Sequence, residues 1–326
     1  MRLYLAELTR LRSRRAIVLL LLACVLATVV IFAGTAWSTR PVSDAELQQA
    51  QEQVDRELAQ PYMKRQIARC ERNPDRYGAR DSAACATSVG PRVEWFLGRP
   101  QLRMGEALRS SGLGLITVLM GLLMLAGTTF AGADWNSGSM SNQLLFEPRR
   151  TRVWFAKAAA VVTAAVVTAA AMLGAFWAAM SWLAASRDIS TLPEVVDLVW
   201  GSSWRAALLI GAAAFGAYAV TMLVRSTVFT LGAMFAVVVG ATIVMAMLGI
   251  SEAWFPNKNL GAVIWDGTRY YAYPPDVCFA GPRPPEGVDC REFETLTVWQ
   301  GVRNLGVLLV AAIAASVWSF RRRDVP

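Results

Sequence analysis

The chain has 326 residues, of which 55% are hydrophobic and only 17% are charged, and its formal net charge at pH 7 is +8. Soluble domains usually carry about 25% charged residues, so this composition excludes an ordinary soluble globule and also a mostly disordered chain. The sequence contains no histidine, which excludes Ser-His-Asp catalysis, histidine-ligated zinc or haem, and imidazole proton relays.

Six stretches are long and apolar enough to cross a membrane, for which about 20 mostly apolar residues are needed. We predict spans at 16–37, 112–133, 153–185, 206–224, 227–250 and 305–320. None carries a charged residue near its middle, and Lys157 is the only charge within these limits. The third stretch is too long for one perpendicular crossing, so we expect it to tilt or to begin at the membrane interface.

Basic residues predict which side of the membrane each end of a span faces. They occur before the first span, between the second and third, between the fourth and fifth, and after the sixth: Arg2, Arg10, Arg12, Arg14, Arg15, Arg149, Arg150, Arg152, Lys157, Arg225, Arg321, Arg322 and Arg323. With six spans all these segments lie on one side, and an excess of lysine and arginine marks the cytoplasmic side. The positive charge therefore indicates membrane orientation, and without a recognition motif it does not indicate a nucleic-acid partner.

We therefore predict an all-α polytopic membrane protein of six transmembrane helices with both termini in the cytoplasm, and small disulfide-bonded extracellular regions. The expected location is a bacterial cytoplasmic (inner) membrane. We divide the chain into the following parts: a cytoplasmic amphipathic helix (1–15), the first span (16–37), an extracellular helical cap (38–111), spans two to five (112–250) with a cytoplasmic loop at 134–153, an extracellular aromatic- and proline-rich loop (251–303), and the sixth span with a basic tail (304–326).

Three local features of these parts are open to interpretation. In the cap, Ser43 followed by Glu46 predicts a capping box for a helix that ends before Pro61. The aromatic loop either lines an exit vestibule or forms an interfacial aromatic belt that packs on the cap. A cleaved signal peptide is the competing interpretation of the first stretch, but its apolar run exceeds the about 7–15 residues of such a segment.

Four of the five cysteines fall on the predicted outer side, where disulfides persist. Four cysteines allow three pairings. We predict Cys70–Cys85 and Cys278–Cys290, because these bonds close the shortest loops, and four free thiols are the alternative. Cys24 lies within the first span and is expected to be a small apolar core residue.

The sequence gives little support for an enzyme. It has no G-x-x-x-x-G-K-[ST] phosphate loop, so if ATP drives this protein, ATP and Mg²⁺ must be bound by a partner subunit. We predict no catalytic residue, no metal site and no cofactor in this chain. The candidate acids for a membrane enzyme are Asp266, Asp276, Asp289 and Glu292 of the second outer loop, and they form no recognisable constellation.

The most informative stretch is 131–157, AGADWNSGSMSNQLLFEPRRTRVWFAK. It predicts a short amphipathic helix against the membrane face, capped by Asn136 or Ser137 and ended by Pro148. A protruding helix with flanking charges is suited to docking into a groove on a cytoplasmic partner.

This loop resembles that of the permease (transmembrane) subunits of type-two ABC exporters. In that family an acidic residue, a glycine, a leucine pair, a proline and an arginine precede the lysine that enters the third span. The matching positions are Asp134, Gly138, Leu144, Leu145, Pro148, Arg150 and Lys157. The family usually has glutamate where Asp134 stands. The six spans, the amphipathic first helix and the basic tail also match, and the chain is actinobacterial-like with enlarged extracellular loops.

The resemblance implies half of an ATP-driven exporter in which this chain is not itself an enzyme. Two copies of a separate cytoplasmic ATP-binding subunit would dock on the loop 134–153, which would couple them to the spans. There Leu144 and Leu145 would supply apolar contact, while Arg149, Arg150 and Arg152 would supply charge pairing and anchoring to membrane lipids. The permease would pair as a homodimer or with a paralogous permease.

The cargo and the type of activity are less constrained. Uncharged spans rich in alanine and glycine favour a hydrophobic or amphipathic compound or lipid. One alternative is an ABC-type signal-relay permease, which acts on a cell-envelope partner without transport. The other is a stand-alone membrane enzyme.

Overall fold

Long apolar helices make up most of the chain, of which the computed structural model describes residues 2–278 and 289–322. The helices are α1 (Arg2–Ser13), α2 (Arg15–Ser38), α3 (Asp44–Ala59), α4 (Pro61–Arg72), α5 (Cys85–Val89), α6 (Val93–Phe96), α7 (Met104–Ala107), α8 (Leu113–Asn136), α9 (Ser139–Phe146), α10 (Arg150–Ser186), α11 (Pro193–Val224), α12 (Thr227–Phe235), α13 (Ala241–Met247), α14 (Pro256–Ile264) and α15 (Val298–Arg322). Two π-helical turns, Leu108–Gly112 and Ala236–Gly240, join α7 to α8 and α12 to α13.

Within the described residues, five helices are long and apolar enough to cross a membrane, which makes the chain a multi-pass membrane protein. They are Arg15–Ser38, Met104–Asn136, Arg150–Ser186, Pro193–Val224 and Val298–Arg322. All five extend beyond the predicted stretches, because polar turns continue the helices past their apolar middles. The predicted span 227–250 is helical in three successive pieces, α12, the second π turn and α13, and is not one of the five.

Helix α11 packs against α8, α10 and α15, while α2 packs against α8 and α10. One end of the bundle, the charged end, carries α1, the last turn of α8, α9, the start of α10 and the end of α15. There the rings of Trp135 and Phe320 lie 6.1 Å apart. The opposite end, the cap end, carries two insertions, residues 39–103 and the described residues 251–278 and 289–297. There Arg187 donates a 2.9 Å hydrogen bond to the carbonyl of Ala36 and so ties α10 to α2.

Glycine permits close contact between α8 and α11. A Cβ atom added at Gly127 would lie 2.8 Å from the carbonyl oxygen of Ala214, a backbone atom that cannot rotate away. At Gly121, two turns earlier in the same helix, nothing lies within 4 Å of such an atom. Small residues allow this approach in lipid, where hydrophobicity does not drive helix association.

We expect Gly127→Val to force α8 and α11 apart and to lower the free energy of unfolding by about 1–3 kcal/mol, the usual effect of overpacking. Gly121→Val is the matched control, because it changes helix propensity equally but meets open space. The measurement is the thermal unfolding midpoint of each purified variant in detergent. Equal midpoints for the two variants would show that the close contact is unimportant.

Two predictions for the cap end are confirmed. Ser43 and Glu46 form the predicted capping box at the start of α3. The backbone N–H of Ser43 donates to the Glu46 carboxylate, which lowers the pKa of that group. Both predicted disulfides, Cys70–Cys85 and Cys278–Cys290, are present, and Cys24 is a buried free thiol.

The all-α prediction needs one correction, because the second insertion contains a small antiparallel sheet. Strand β1 (Thr268–Tyr271) pairs with β2 (Phe293–Leu296), with Tyr271 opposite Phe293. Aromatic and β-branched side chains favour this extended pairing, and a stretch of only four residues is too short to be distinguished from a loop by its sequence.

Candidate functional site

Five ionisable side chains from distant parts of the sequence meet at the charged end. We call Glu7, Arg10, Arg14, Asp134 and Lys157 the ion cluster. They come from α1, the residue joining α1 to α2, the last turn of α8 and the start of α10. The cluster therefore joins four segments that the chain brings to one end of the bundle.

Lys157 lies at the centre of the ion cluster. Its Nζ donates to Oε2 of Glu7 at 2.8 Å and to Oδ2 of Asp134 at 2.5 Å. All three side chains are at most 1% exposed. The ammonium also lies 5.1 Å from the ring centroid of Phe130, a favourable cation–π distance. One buried cation thus bridges two buried carboxylates.

Two arginines cover the more exposed side of the cluster. Arg14 donates to the Asp134 carboxylate and, at 3.1 Å, to the carbonyl of Phe130. Arg10 donates to Glu7 at 3.2 Å and to Asp134 at 3.4 Å. Burying charges is costly unless each has a partner, and here both carboxylates have at least two. Removing one member is therefore more damaging than the net strength of any single pair suggests.

Two polar side chains attach α9 to the ion cluster. The Ser139 hydroxyl donates to Oδ1 of Asp134 at 2.8 Å. Gln143 donates to the Glu7 carboxylate and accepts from Arg10 at 3.0 Å. Ser139 and Gln143 are four residues apart and so share one face of the helix. Movement of α9 would therefore have to break contacts with α1 and with the last turn of α8.

The turn before α9 differs from the prediction. Neither Asn136 nor Ser137 caps the helix, because α8 continues to Asn136 and the chain then turns at Gly138. Gly138 has φ +66°, a left-handed conformation that other residues adopt only at a cost. The glycine of the loop pattern therefore stands at the turn between α8 and α9.

The structure divides the predicted coupling residues into two groups. Asp134 and Lys157 lie inside the ion cluster and cannot contact a partner protein directly. Leu144 is half-buried against the core, whereas Leu145 is 80% exposed. Beside it, Phe146 is 92% exposed, so the apolar surface of α9 is the pair Leu145–Phe146.

Three arginines follow this pair in the sequence, and they too differ in their surroundings. Arg149 is exposed, and Arg152 is exposed and pairs with Glu147 at 3.4 Å. Arg150 donates to the carbonyl of Phe320 at 3.4 Å and so links α10 to α15. Pro148 lies in the connection after α9, as predicted.

Sequence reasoning missed Glu7, Gln143 and Phe146. In the sequence Glu7 resembles any polar residue of an amphipathic helix. The only feature that could have identified it is that it is the one acid among the arginines of α1. Gln143 carries no charge signal. Phe146 follows the leucine pair directly, and this run of three apolar residues before a proline could have identified the exposed pair.

The acids proposed for an enzyme do not form a site among the described residues. Asp266 approaches Arg205 at 3.8 Å, and Asp289 accepts from its neighbour Arg291, whose backbone N–H lowers the pKa of the carboxyl. Within residues 2–278 and 289–322, no group of three or more cysteine, aspartate or glutamate side chains could hold a metal ion.

No protein-family model, no curated protein and no solved structure matches this chain. The resemblance of the loop 134–153 to that of exporter permeases therefore stays a prediction.

Proposed function

We propose that this chain is the membrane-spanning permease subunit of an ATP-driven ABC exporter. It would pair with a second permease, either a copy of itself or a paralogue. Two separate ATP-binding subunits would dock at the charged end and move a hydrophobic or amphipathic compound or lipid outward. The observation that carries the proposal is the exposed pair Leu145–Phe146 on a helix that the ion cluster fixes to the membrane helices.

The exposed pair has the chemistry of a docking surface. Two adjacent large apolar side chains at the polar end of a membrane protein are unfavourable in water unless something covers them. The exposed Arg149 and Arg152 follow them closely in the sequence, which suits a groove with an apolar floor and an acidic rim. A short helix presenting such a pair is a recurring mode of protein recognition.

The connections of α9 give a route from docking to the spans. A force on Leu145–Phe146 would act on Ser139 and Gln143, and through them on Asp134 and Glu7. Asp134 belongs to α8, and its hydrogen bond with Lys157 extends this connection to α10. Movement of the ATP-binding subunits would thus shift two spanning helices together, as alternating access requires.

We also propose six spans with both termini in the cytoplasm. Arg225 stacks 4.3 Å over the ring of Trp135 at the charged end, just before α12. After α13, Asn259 accepts a 3.0 Å hydrogen bond from Asn304 at the cap end. The 21 helical residues of 227–247 between these points would rise about 31 Å, the thickness of a bilayer core. The basic residues of the charged end favour the cytoplasmic side for it.

Cysteine labelling tests this orientation. With six spans, Ser88→Cys and Ser251→Cys should react with a membrane-impermeant maleimide in intact cells, whereas Asn142→Cys should react only in inverted vesicles. All three positions are exposed. The native cysteines give little background, because four are disulfide-bonded and Cys24 is buried. Labelling of Ser251→Cys from the same side as Asn142→Cys would refute the span 227–250.

Photo-cross-linking tests the proposed function. A photoreactive phenylalanine analogue at position 146 should capture an ATP-binding protein in cells. The same analogue at Phe229, a residue of α12 that is 60% exposed, should not capture this protein. Capture of the same protein from both positions, or of no ATP-binding protein from position 146, would contradict docking at α9.

A further inference from the structure

A cavity of about 360 Å³ opens at the cap end, far from the ion cluster. Its walls are the last two turns of α2 and the segment that runs from Pro100 through α7 into the first π turn. Its volume falls in the range of ligand pockets, which is about 300–1,000 Å³. Such π turns within helices occur frequently at functional sites.

The α2 side of the cavity lining changes from apolar to polar toward the end of the helix. Ile31 and Gly34 line the part nearer the middle of the helix, and Ser38 lines the part at its end. Seven residues of helix separate Ile31 from Ser38, a rise of about 10 Å. Arg103 and Glu106 line the cavity from the opposite wall. This gradient matches the order of acyl chain, glycerol backbone and headgroup in a membrane lipid.

Hydroxyl groups also line the cavity, and each of their protons is already donated to a backbone carbonyl. Thr35 donates to the carbonyl of Ile31 at 2.8 Å, and Ser110 donates to that of Glu106 at 2.9 Å. Ser111 donates to the carbonyl of Ala107 at 3.3 Å. Each oxygen keeps lone pairs that accept hydrogen bonds. This wall therefore suits a ligand that brings N–H or O–H donors.

The charged side chains of the wall that contains Arg103 and Glu106 select among lipid headgroups. Arg103 pairs with Glu94 at 2.8 Å and with Glu106 at 3.3 Å, so two carboxylates surround one guanidinium. Arg187 donates to Thr39 of the lining, so two cations stand against two carboxylates and this wall has no net positive charge to attract an anionic headgroup. A zwitterion fits, with its phosphate toward Arg103 and its cation toward the carboxylates and hydroxyls. A primary ammonium has three N–H donors for this wall, whereas a trimethylammonium has none.

We propose that this cavity binds a phospholipid with an ethanolamine headgroup, taken from the leaflet at the cap end. The acyl chain would lie along Ile31 and Gly34, and the headgroup between Arg103 and Glu106. The site is independent of the proposed function, since it uses neither α9 nor the ion cluster and does not require an ATP-binding partner.

The test uses photoactivatable phosphatidylethanolamine, phosphatidylcholine and phosphatidylglycerol in nanodiscs that contain the full chain. We expect labelling of α2 and α7 by the ethanolamine lipid above the other two. Gly34→Leu should reduce this labelling to background, because nothing lies within 4 Å of an added Cβ there and the side chain can occupy the cavity. Gly121→Leu, which also meets open space but lies outside the cavity, should label like the parent protein.

A charge change gives the second arm of the experiment. Glu106→Lys replaces one of these carboxylates by a cation and gives the wall a net positive charge, so preference should move from the ethanolamine lipid to phosphatidylglycerol. Equal labelling by all three lipids, undiminished labelling of Gly34→Leu, or an unchanged preference in Glu106→Lys would each overturn the proposal. Each variant is first checked for a single monodisperse peak on size-exclusion chromatography, so that misfolding is not scored as lost binding.

Discussion

Lys157→Met is expected to lower the free energy of unfolding by about 3–5 kcal/mol, the usual cost of removing one partner from a buried ion pair. The methionine fills a similar volume but leaves Glu7 and Asp134 without the cation at the centre of the ion cluster. Arg10 and Arg14 still reach the carboxylates, but from the more exposed side. The measurement is the thermal unfolding midpoint of the detergent-solubilised protein, together with the yield of monodisperse material.

Two further variants separate the charge effect from general damage. Arg152→Met removes an exposed cation from the same helix and should change stability by no more than about 1 kcal/mol. Adding Glu7→Gln to Lys157→Met removes a carboxylate along with its cation and should recover part of the loss. If the double variant is as unstable as the sum of the two single variants, Glu7 and Lys157 are not coupled and our description of the cluster fails.

The second large effect is expected for Leu145→Ala combined with Phe146→Ala. If these side chains fill a groove on an ATP-binding subunit, their truncation should weaken binding by about 2–4 kcal/mol, a loss of roughly 30- to 1,000-fold in affinity. Folding should be unaffected, because both side chains are exposed and contribute little to the core. The measurements are the affinity of the purified permease for the subunit and the ATPase activity of the reconstituted complex.

Val228→Ala combined with Phe229→Ala is the matched control. These residues are also adjacent, apolar and exposed, but they lie on α12 rather than on α9. The control should bind the ATP-binding subunit like the parent protein. Equal affinity of the two double variants would contradict a docking role for α9, whatever their effects on expression.

The spanning helices and the disulfides were predictable because their signals are local. Long apolar runs identify membrane helices whatever surrounds them, and the two bonds close loops with sequence separations of 15 and 12 residues. The prediction was weaker where polar turns extend the helices, as in α11, since hydropathy does not indicate where a helix ends in water. The strands β1 and β2 were missed because each is four residues long.

The candidate site was predictable only in part, because its contacts are distant in sequence. Asp134 and Lys157 were identified by their place in the loop pattern, but nothing predicted the burial of Lys157. It is fully buried, and the reason is Glu7, 150 residues away in sequence. Nothing in the sequence pairs these two residues. Leu145 was expected with Leu144, yet the turn of α9 directs Leu144 to the core and leaves Phe146 exposed.

The most direct test of the account is purification of the protein from its native membranes through a C-terminal tag, with identification of what co-purifies. We predict a cytoplasmic ATP-binding protein in stoichiometric amount, which Leu145→Ala combined with Phe146→Ala would release. An intact, monodisperse membrane protein that co-purifies with no ATP-binding subunit would contradict the proposed exporter.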